Sequence, residues 1–399
     1  MATADPISDL SGSPPVRSGY AMLAVLPPLA AEQLESTLTR LTAIFPAEEL
    51  LVATQNGVPA GSYAPLQMVE IPPTRVTWTL TAADYANAAE LARKHEARSI
   101  LILGPEGGSL SASALRALAW PVASGSVDLA LPYYEVPTNS GLVNSAILYP
   151  LTRALFATRA RFPLSIDVGL SPRMAERVGR AAEHLCSVGQ QDAMMWPVPE
   201  AVVAGYSLGE YEVGARTAPQ PPDPDIRTIL VQVTSALFSD IESKAAFWQR
   251  PRRLPPPRST PPRRPAPSDD RTGEVASIVD GFRLAYNNLQ EIWALVLPPA
   301  SLLGIKRLTV LDPAGFRMPE NLWARIVYDF LVAFRMRTIN RGHLLGALIP
   351  LYLAWVAGHI NVTTAGTDPE RHIEAVAAAF DADKPYLVAR WRWPDRFNP

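Results

Sequence analysis

The alternation of short apolar runs with amphipathic stretches, which begins at Gly19, constrains the fold of this chain most strongly. Apolar runs predict buried strands at Tyr20–Leu26, Leu50–Ala53, Met68–Ile71, Ile100–Leu103 and Val127–Leu131. The stretches between them carry helical spacing at Ala30–Ile44, Ala82–His95 and Ala112–Leu118. Strands that alternate with helices predict an α/β domain built on a doubly wound, mostly parallel sheet.

The second half of the chain changes to long helical patterns and is predicted to form an α-helical C-terminal domain. These patterns cover Asp225–Trp248, Val275–Leu295, Pro319–Arg337 and Arg341–Ile360, with a shorter one at Arg371–Ala379. We therefore predict a disordered tail at residues 1–18, the α/β domain at 19–218 and the helical domain at 219–399.

A Pro/Arg-rich segment interrupts the helical domain at residues 250–274, and most of it reads RPRRLPPPRSTPPRRPAPSDD. Because proline lacks a backbone donor and favours extended backbone, the segment is predicted to be a disordered linker. Two roles stay open. The linker is either a solvated insertion or a docking segment for a protein partner with an aromatic-lined groove or an acidic surface.

Charge and cysteine content exclude several classes of function. A net charge of −2 provides no field that would attract nucleic acid or an anionic membrane surface. The single cysteine, Cys186, excludes an internal disulfide and a thiolate metal cluster. The uncharged stretch Leu344–Ile360 is nearly long enough to span a bilayer, but it contains Pro350 and stands alone, so we expect a buried core helix. With no secretory signal expected, a cytoplasmic location is predicted.

Several segments resemble one enzyme family and follow one another at the expected spacing. In the first half they read ILILGPEGGSLSASALRALAWPV, DLALPYYE, ILYPLTRALFATRARFPLSIDVGLS and QQDAMMWPVPEAVVAGYSL, and in the second half LWARIVYDFLVAF, LLGALIPLYLAWVAGHI and KPYLVARW. The family is the GT-A-fold glycosyltransferases of the glucosyl-3-phosphoglycerate synthase and mannosylglycerate synthase group, near the broad family 2 transferases. The resemblance covers residues 19–393 apart from the linker.

This resemblance implies a GT-A-like sheet domain that binds a nucleotide diphosphate sugar at the carboxyl ends of its parallel strands. It also implies a Mg²⁺ or Mn²⁺ ion that bridges the diphosphate to the protein. The helical tails of such proteins commonly build dimer contacts, so the resemblance further implies a homodimer.

Most polar positions of the family's site are changed in this chain. The Asp-x-Asp metal motif reads Gly104-Pro105-Glu106, and the position of the metal-binding histidine holds Ala218. The turn after the first strand, residues 27–31, has two alanines in place of a polar pair. The acceptor loop aligns with Val136–Leu142, which has no cationic side chain for an anionic acceptor.

Five residues remain as candidates for the site. Asp167 matches the family's sugar-contacting aspartate and Asp192 an acidic position that opens the next helix, so both are candidate catalytic residues. Glu106, Tyr134 and Gly169 are candidate cofactor-binding residues, and Glu106 is also the candidate metal ligand. Structural roles are the alternatives for both aspartates: Asp192 would cap a helix N-terminus, and Asp167 would satisfy backbone donors.

The aromatic and imidazole side chains are assigned mainly to packing. Core packing is the expected role of Trp78 and Trp196, and a position beside the cleft, where an aromatic side chain would stack on a sugar or base, is the alternative. His343 and His359 are expected in the core or at an interface rather than on a metal. The tryptophans of the helical half are expected to be packing anchors; they are Trp248, Trp293, Trp323, Trp355, Trp391 and Trp393.

Three functions are therefore compared. In the first, the coordinated loss of polar site residues leaves a pseudo-glycosyltransferase that acts as a binding or scaffolding subunit. In the second, Asp167, Asp192 and Glu106 retain activity toward a neutral acceptor, with a nucleotide sugar and weak or no metal dependence. In the third, the linker itself recruits a protein partner. The first is the interpretation we favour.

Overall fold

A computed structural model of the chain describes residues 19–55, 63–75, 77–215, 225–251 and 271–394. Its strands are β1 (Met22–Leu26), β2 (Leu50–Thr54), β3 (Gln67–Glu70), β4 (Ile100–Ile102), β5 (Leu129–Glu135), β6 (Val168–Leu170) and β7 (Leu208–Ala215). The helices of the same half are α1 (Ala31–Thr42), α2 (Ala82–Lys94), α3 (Ala112–Ala123), α4 (Tyr149–Phe156), α5 (Pro172–Ser187) and α6 (Pro197–Ala204).

The strands form one mixed, mostly parallel sheet in the order β3-β2-β1-β4-β6-β5-β7. Strands β1, β2, β3 and β4 run parallel, and β5 runs parallel to β7, whereas β6 is antiparallel to both of its neighbours. The five predicted strands are confirmed. Strands β6 and β7 were not predicted, because β6 has only three residues and β7 (LGEYEVGA) mixes glycine with charged residues.

The central strands are buried on both faces, as the unbroken apolar runs predict, but the edge strand β3 is exposed or half-buried along its length. On one face, Leu23 and Leu51 pack against α2 and α5. On the other, Ala24 and Val52 pack against α1 and α3. The predicted α/β class, a doubly wound and mostly parallel sheet followed by a helical C-terminal region, is confirmed.

The helices of the second half are α7 (Ile226–Ser243), α8 (Ala245–Trp248), α9 (Val275–Val296), α10 (Pro299–Leu308), α11 (Glu320–Met336), α12 (Arg341–Thr364) and α13 (Pro369–Arg392). The predicted helix Arg371–Ala379 is too short. The charged residues before Pro385 obscure its pattern, and packing against α11 extends it: the Tyr328 hydroxyl donates to the carbonyl of Phe380 at 2.7 Å. Helix α10 was not predicted.

The core of this half confirms most of the tryptophan assignments. Trp248, Trp293, Trp323 and Trp355 are fully buried and Trp391 is nearly so. Trp393 is the exception, because 64% of its surface is exposed.

Helix α12 is the one helix in the described part of the chain that is long and apolar enough to cross a membrane. Its most apolar window has a mean hydropathy of 1.5, and 72% of that window is buried inside the protein. The predicted placement of Leu344–Ile360 in the core is confirmed.

Buried ion pairs join the two halves. The Arg161 guanidinium contacts Glu370 of α13 at 2.8 Å, and Arg153 of α4 contacts Glu374 at 2.6 Å. The predicted tail at 1–18 and the boundary at 218/219 lie outside the described residues, as do linker residues 252–270. The predicted linker, residues 250–274, is too long at its C-terminal end, because Thr272–Glu274 already forms a helical turn that leads into α9.

Candidate functional site

In the sheet, β2 and β3 lie on one side of β1, and β4 lies on the other side. Open α/β sheets bind ligands where the strand order changes side in this way, at the carboxyl ends of the strands. Three cavities lie at or beside this edge. Thr74 lines the first, Trp78 lines the second and the third, and Arg75, Thr77 and Thr79 line both the first and the third. We call the three cavities, in that order, the switch-point cavity, the loop cavity and the interdomain cleft.

The switch-point cavity is enclosed by the ends of the strands themselves. Residues Val25–Pro28 after β1 and Ile102–Pro105 after β4 line it, together with Gln55, Thr74 and Asp84. Its volume is about 110 Å³. Ligand cavities in proteins commonly measure about 300–1,000 Å³, so this one is small for a nucleotide.

Three polar side chains of the switch-point cavity, Gln55, Thr74 and Asp84, form one chain of hydrogen bonds. Asp84 accepts bonds from the backbone and the hydroxyl of Thr81, both at 2.8 Å, in a helix capping box. Its other oxygen accepts from the Thr74 hydroxyl at 2.8 Å, and Gln55 donates to Thr74 at 3.0 Å. A ligand would have to break this chain of hydrogen bonds to use the groups in it.

Asp167 and Tyr134 come together beneath the turn that follows β4. The Asp167 side chain is completely buried and accepts from the backbone N–H of Gly104 at 2.9 Å and from the Tyr134 hydroxyl at 3.3 Å. These contacts fix the Gly104-Pro105-Glu106 turn against β5. They match the structural alternative for Asp167, in which its carboxylate satisfies a backbone donor.

Glu106 lies in that turn and immediately precedes a helical turn at Gly107–Ser109. It is half-buried, and within the described structure it lines none of the three cavities. As a candidate cofactor or metal residue, Glu106 would need the turn to move.

The assignment of Gly169 to a cofactor site is corrected by its packing. Gly169 is buried in β6, and a Cβ atom there would lie 2.3 Å from the backbone oxygen of Leu118 in α3. The glycine therefore allows a helix to pack closely on the sheet, and that helix occupies the space a cofactor would need.

The helix-capping alternative for Asp192 is wrong. Asp192 lies in a turn, and α6 begins only at Pro197. Its carboxylate contacts the Arg75 guanidinium at 3.3 Å, with 54% and 76% of the two side chains exposed. Asp192 lines the interdomain cleft, whereas Asp167 does not, so the structure does not bring the two candidate catalytic aspartates into one cavity.

The loop cavity has a volume of about 650 Å³ and takes its name from the predicted acceptor loop. Five residues of Val136–Leu142 line it, together with Tyr134 and Trp78. Its charged lining residues are Arg271 and Glu274, which pair with each other at 2.5 Å. Most of the remaining lining is apolar, so an anionic ligand would meet no cation that lacks a protein partner.

The interdomain cleft is the largest of the three, at about 1,150 Å³. One wall comes from α5, the Gln190–Trp196 segment and α6, and the other comes from α7. Trp78 lines both this cleft and the loop cavity, and Trp196 lines this cleft, while both also pack against the core of the helical half. Trp196 is itself only 3% exposed.

Comparison with known proteins gives similarity at the level of structure alone. No family model and no curated protein matches the sequence. Glucosyl-3-phosphoglycerate synthase from Mycobacterium tuberculosis, in complex with phosphoglyceric acid, is 12% identical, with a TM-score of 0.34 over 56% of this chain and 80% of that one. The same enzyme with Mn²⁺, UDP-glucose and glycerol 3-phosphate is 13% identical, with a TM-score of 0.35 over the same shares.

A mannosyltransferase from Pyrobaculum calidifontis, in complex with GDP-mannose and Mn²⁺, is similar over more of the chain. It is 11% identical, with a TM-score of 0.34 over 96% of this chain and 92% of that one. Because these TM-scores are below 0.5, we draw no conclusion about this chain from the similarity.

The residues present do not fit a divalent cation with a diphosphate. Among the described residues, no three His, Cys, Asp or Glu side chains lie close enough together to hold a metal ion. The motif after β4 offers only Glu106, while Asp84 and Asp167 are already bonded to other groups. The position of the metal histidine, Ala218, lies outside the described residues.

Two buried titratable clusters lie away from the cleft. Burial raises the pKa of Glu210 on β7 to about 7, although its carboxylate accepts from the backbone of Arg161. His359 and His372 are buried with their Nδ1 atoms 2.8 Å apart, and burial, together with His372, lowers the pKa of His359 to about 3. His359 therefore occupies the core, as predicted.

Sequence reasoning missed the charged residues of the interdomain cleft: Arg75, Glu200, Asp240 and Lys244. These residues come from segments far apart in the chain, so no local sequence motif indicates that they share a cleft. The one available signal was the rarity of lysine, because Lys244 is one of four in the chain and occurs within a helical apolar pattern.

Proposed function

We propose that this chain is a glycosyltransferase-like protein without transferase activity, which serves as a binding or scaffolding subunit. The observation that carries the proposal is the switch-point cavity, which measures about 110 Å³ and in which Gln55, Thr74 and Asp84 bond to one another.

The energetics of opening that cavity support the proposal. A nucleotide would have to separate Thr74 and Asp84 from their partners and displace the segment that carries them. Both side chains are half-buried, so each hydrogen bond that is lost costs about 0.5–1.5 kcal/mol. Arg75 is the only cation among the described residues of this lining, and it already pairs with Asp192.

The acceptor side supports the same function. Loop residues Val136–Leu142 contribute no cation to the loop cavity, and Arg271 is held by Glu274 and by the carbonyl of Asn139 at 3.3 Å. A phosphoglycerate-like anion would therefore enter an apolar cavity with no bidentate partner, which is unfavourable.

One observation favours the alternative, an active nucleotide-sugar-dependent transferase with a neutral acceptor. The loop cavity, at about 650 Å³, is within the size range of ligand sites, and Tyr134, which lines it, bonds to Asp167. In that alternative the donor enters the loop cavity, and Asp167 acts through Tyr134 as a positioning residue.

Titration calorimetry tests the proposal. UDP, GDP, UDP-glucose and GDP-mannose are each titrated into the full chain with and without Mn²⁺, after circular dichroism has shown that the protein is folded. We expect no saturable heat. Saturable binding near micromolar affinity would refute the proposal.

Two variants then locate any nucleotide that binds. Weakening by Arg75→Ala would place the nucleotide at the switch-point cavity, and weakening by Arg271→Ala would place it in the loop cavity.

The partners and location of such a subunit are part of the same proposal. We expect a cytoplasmic protein that either pairs with a second copy of itself or binds another protein through residues 250–274. Light scattering after size exclusion measures the first, and affinity capture with the chain lacking residues 252–270 measures the second. Retention of a partner by the deleted chain would exclude the linker as its docking segment.

A further inference from the structure

The interdomain cleft presents a continuous polar stripe from one side of α7. Small or amide side chains recur at every third or fourth position, which places them along one face of the helix. They are Thr228, Gln232, Ser235, Ser239 and Ser243, and all of them line the cleft.

The charges that line the cleft are paired within the protein. Lys244 contacts Glu200 at 2.7 Å and also bonds to Asp240, and Arg75 contacts Asp192 at 3.3 Å. Arg177 adds a second cation to Glu200 at 2.9 Å. An ionic ligand would have to compete with these internal partners, whereas a neutral ligand would not.

Buried polar atoms without protein partners lie in the same lining. They are the indole nitrogen of Trp196, the hydroxyl of Thr79 and one carboxylate oxygen of Asp240. Trp196 and Thr79 are only 3% and 4% exposed. Because a buried polar group without a partner costs about 1–3 kcal/mol, a ligand that reached these atoms with a hydrogen-bond donor or acceptor would recover that free energy.

Sugar hydroxyls have that property. Each can accept a bond from an indole N–H and donate one to a carboxylate or a serine hydroxyl. The half-buried Trp78 adds an aromatic surface at the end of the cleft that it shares with the loop cavity. A volume of about 1,150 Å³ exceeds the range of about 300–1,000 Å³ usual for a single small ligand.

We propose that the interdomain cleft binds a neutral, polyhydroxylated chain, an oligosaccharide of a few sugar units. The inference deepens the proposed non-catalytic function by naming a ligand class, and it requires no nucleotide. No bond is formed or broken in the ligand, so the chain would act as a carbohydrate-binding subunit.

To test this, the full chain is titrated with maltohexaose, cellohexaose and mannohexaose, and binding is measured by calorimetry and by tryptophan fluorescence. Hexagalacturonate, an anionic chain of the same length, is the charge control. We expect saturable binding of at least one neutral hexasaccharide, with at least about tenfold weaker binding of the anionic one.

Matched variants locate the binding. Ser239→Trp fills the cleft from α7, and Gln232→Trp does so two turns away. Ser277→Trp is the control, because Ser277 is also an exposed helical serine bonded to a backbone carbonyl but lies on α9, outside the cleft lining. The first two variants should weaken binding by at least about tenfold and the control should not change it.

Three results would overturn the inference: no neutral hexasaccharide binds, the anionic chain binds equally well, or binding survives both cleft variants. The nucleotide titration is separate from all three. If a nucleotide binds and no hexasaccharide does, the proposed function and the inference are both refuted. If neither a nucleotide nor a hexasaccharide binds, only the inference is refuted.

Discussion

The Asp167→Ala variant separates a structural role of this aspartate from a catalytic one. In the folded protein the carboxylate accepts from the Gly104 N–H and the Tyr134 hydroxyl, and no part of it is exposed. Alanine would leave both donors buried without this partner, at about 1–3 kcal/mol each. We therefore expect the free energy of unfolding to fall by about 2–5 kcal/mol, a large part of the 5–15 kcal/mol typical of a domain.

Urea denaturation followed by circular dichroism measures this loss. Asp192→Ala is the matched control, since its exposed ion pair with Arg75 should change stability by less than about 1 kcal/mol. Asp167→Asn, which keeps an oxygen for Gly104, should lose less than the alanine variant. If Asp167→Ala were as stable as the parent protein while Asp192→Ala was not, the structural role assigned to Asp167 would be wrong.

Three further predictions follow from buried groups. Gly169→Ala should lower the free energy of unfolding by about 1–3 kcal/mol, because α3 must move to make room for the methyl group. Gly346→Ala, which has open space around it, should raise the free energy of unfolding by up to about 1 kcal/mol. Thermal unfolding of both variants measures the difference. Because burial raises the pKa of Glu210 from 4.5 to about 7, its contribution to stability is present below pH 4.5 and is lost as pH rises to about 7. Glu210→Gln should abolish this pH-dependent loss of stability, which amounts to up to about 3 kcal/mol. If the difference in stability between the variant and the parent protein did not change with pH, the raised pKa assigned to Glu210 would be wrong. Lys244→Met should cost about 3–5 kcal/mol by leaving Asp240 buried without its cation, whereas Glu200 keeps its ion pair with Arg177. Adding Asp240→Asn should recover part of that loss in the same denaturation assay, and simple addition of the two losses would show that the pair is not coupled.

The sequence predicted the parts of the fold that depend on local pattern. Continuous apolar runs identify β1 to β5, and long helical periodicities identify α7, α9, α11 and α12, because these patterns reflect which faces are buried. The pattern failed where tertiary contacts decide. Strand β7 contains Glu210, which a sequence pattern places outside, and the sheet holds it inside by a bond from the Arg161 backbone.

The candidate site was predicted less completely. The sequence proposed Tyr134 and Asp167 as site residues, and the structure places them side by side. For Trp78 and Trp196 a cleft position was only the alternative to core packing, and both line cavities. It did not identify Lys244 or Asp240, because their contacts with Glu200 join helices that are far apart in the chain.

By itself, the sequence determined the α/β half and the helical half of the fold. Those properties reside in residue type and spacing, which local chemistry fixes. Only the tertiary structure decided that the switch-point cavity is small, that Asp167 is a buried acceptor and that a larger polar cleft lies between α5 and α7. Cavity volume and hydrogen-bond partners depend on how distant segments pack, and side-chain packing is not encoded in the spacing of any one segment.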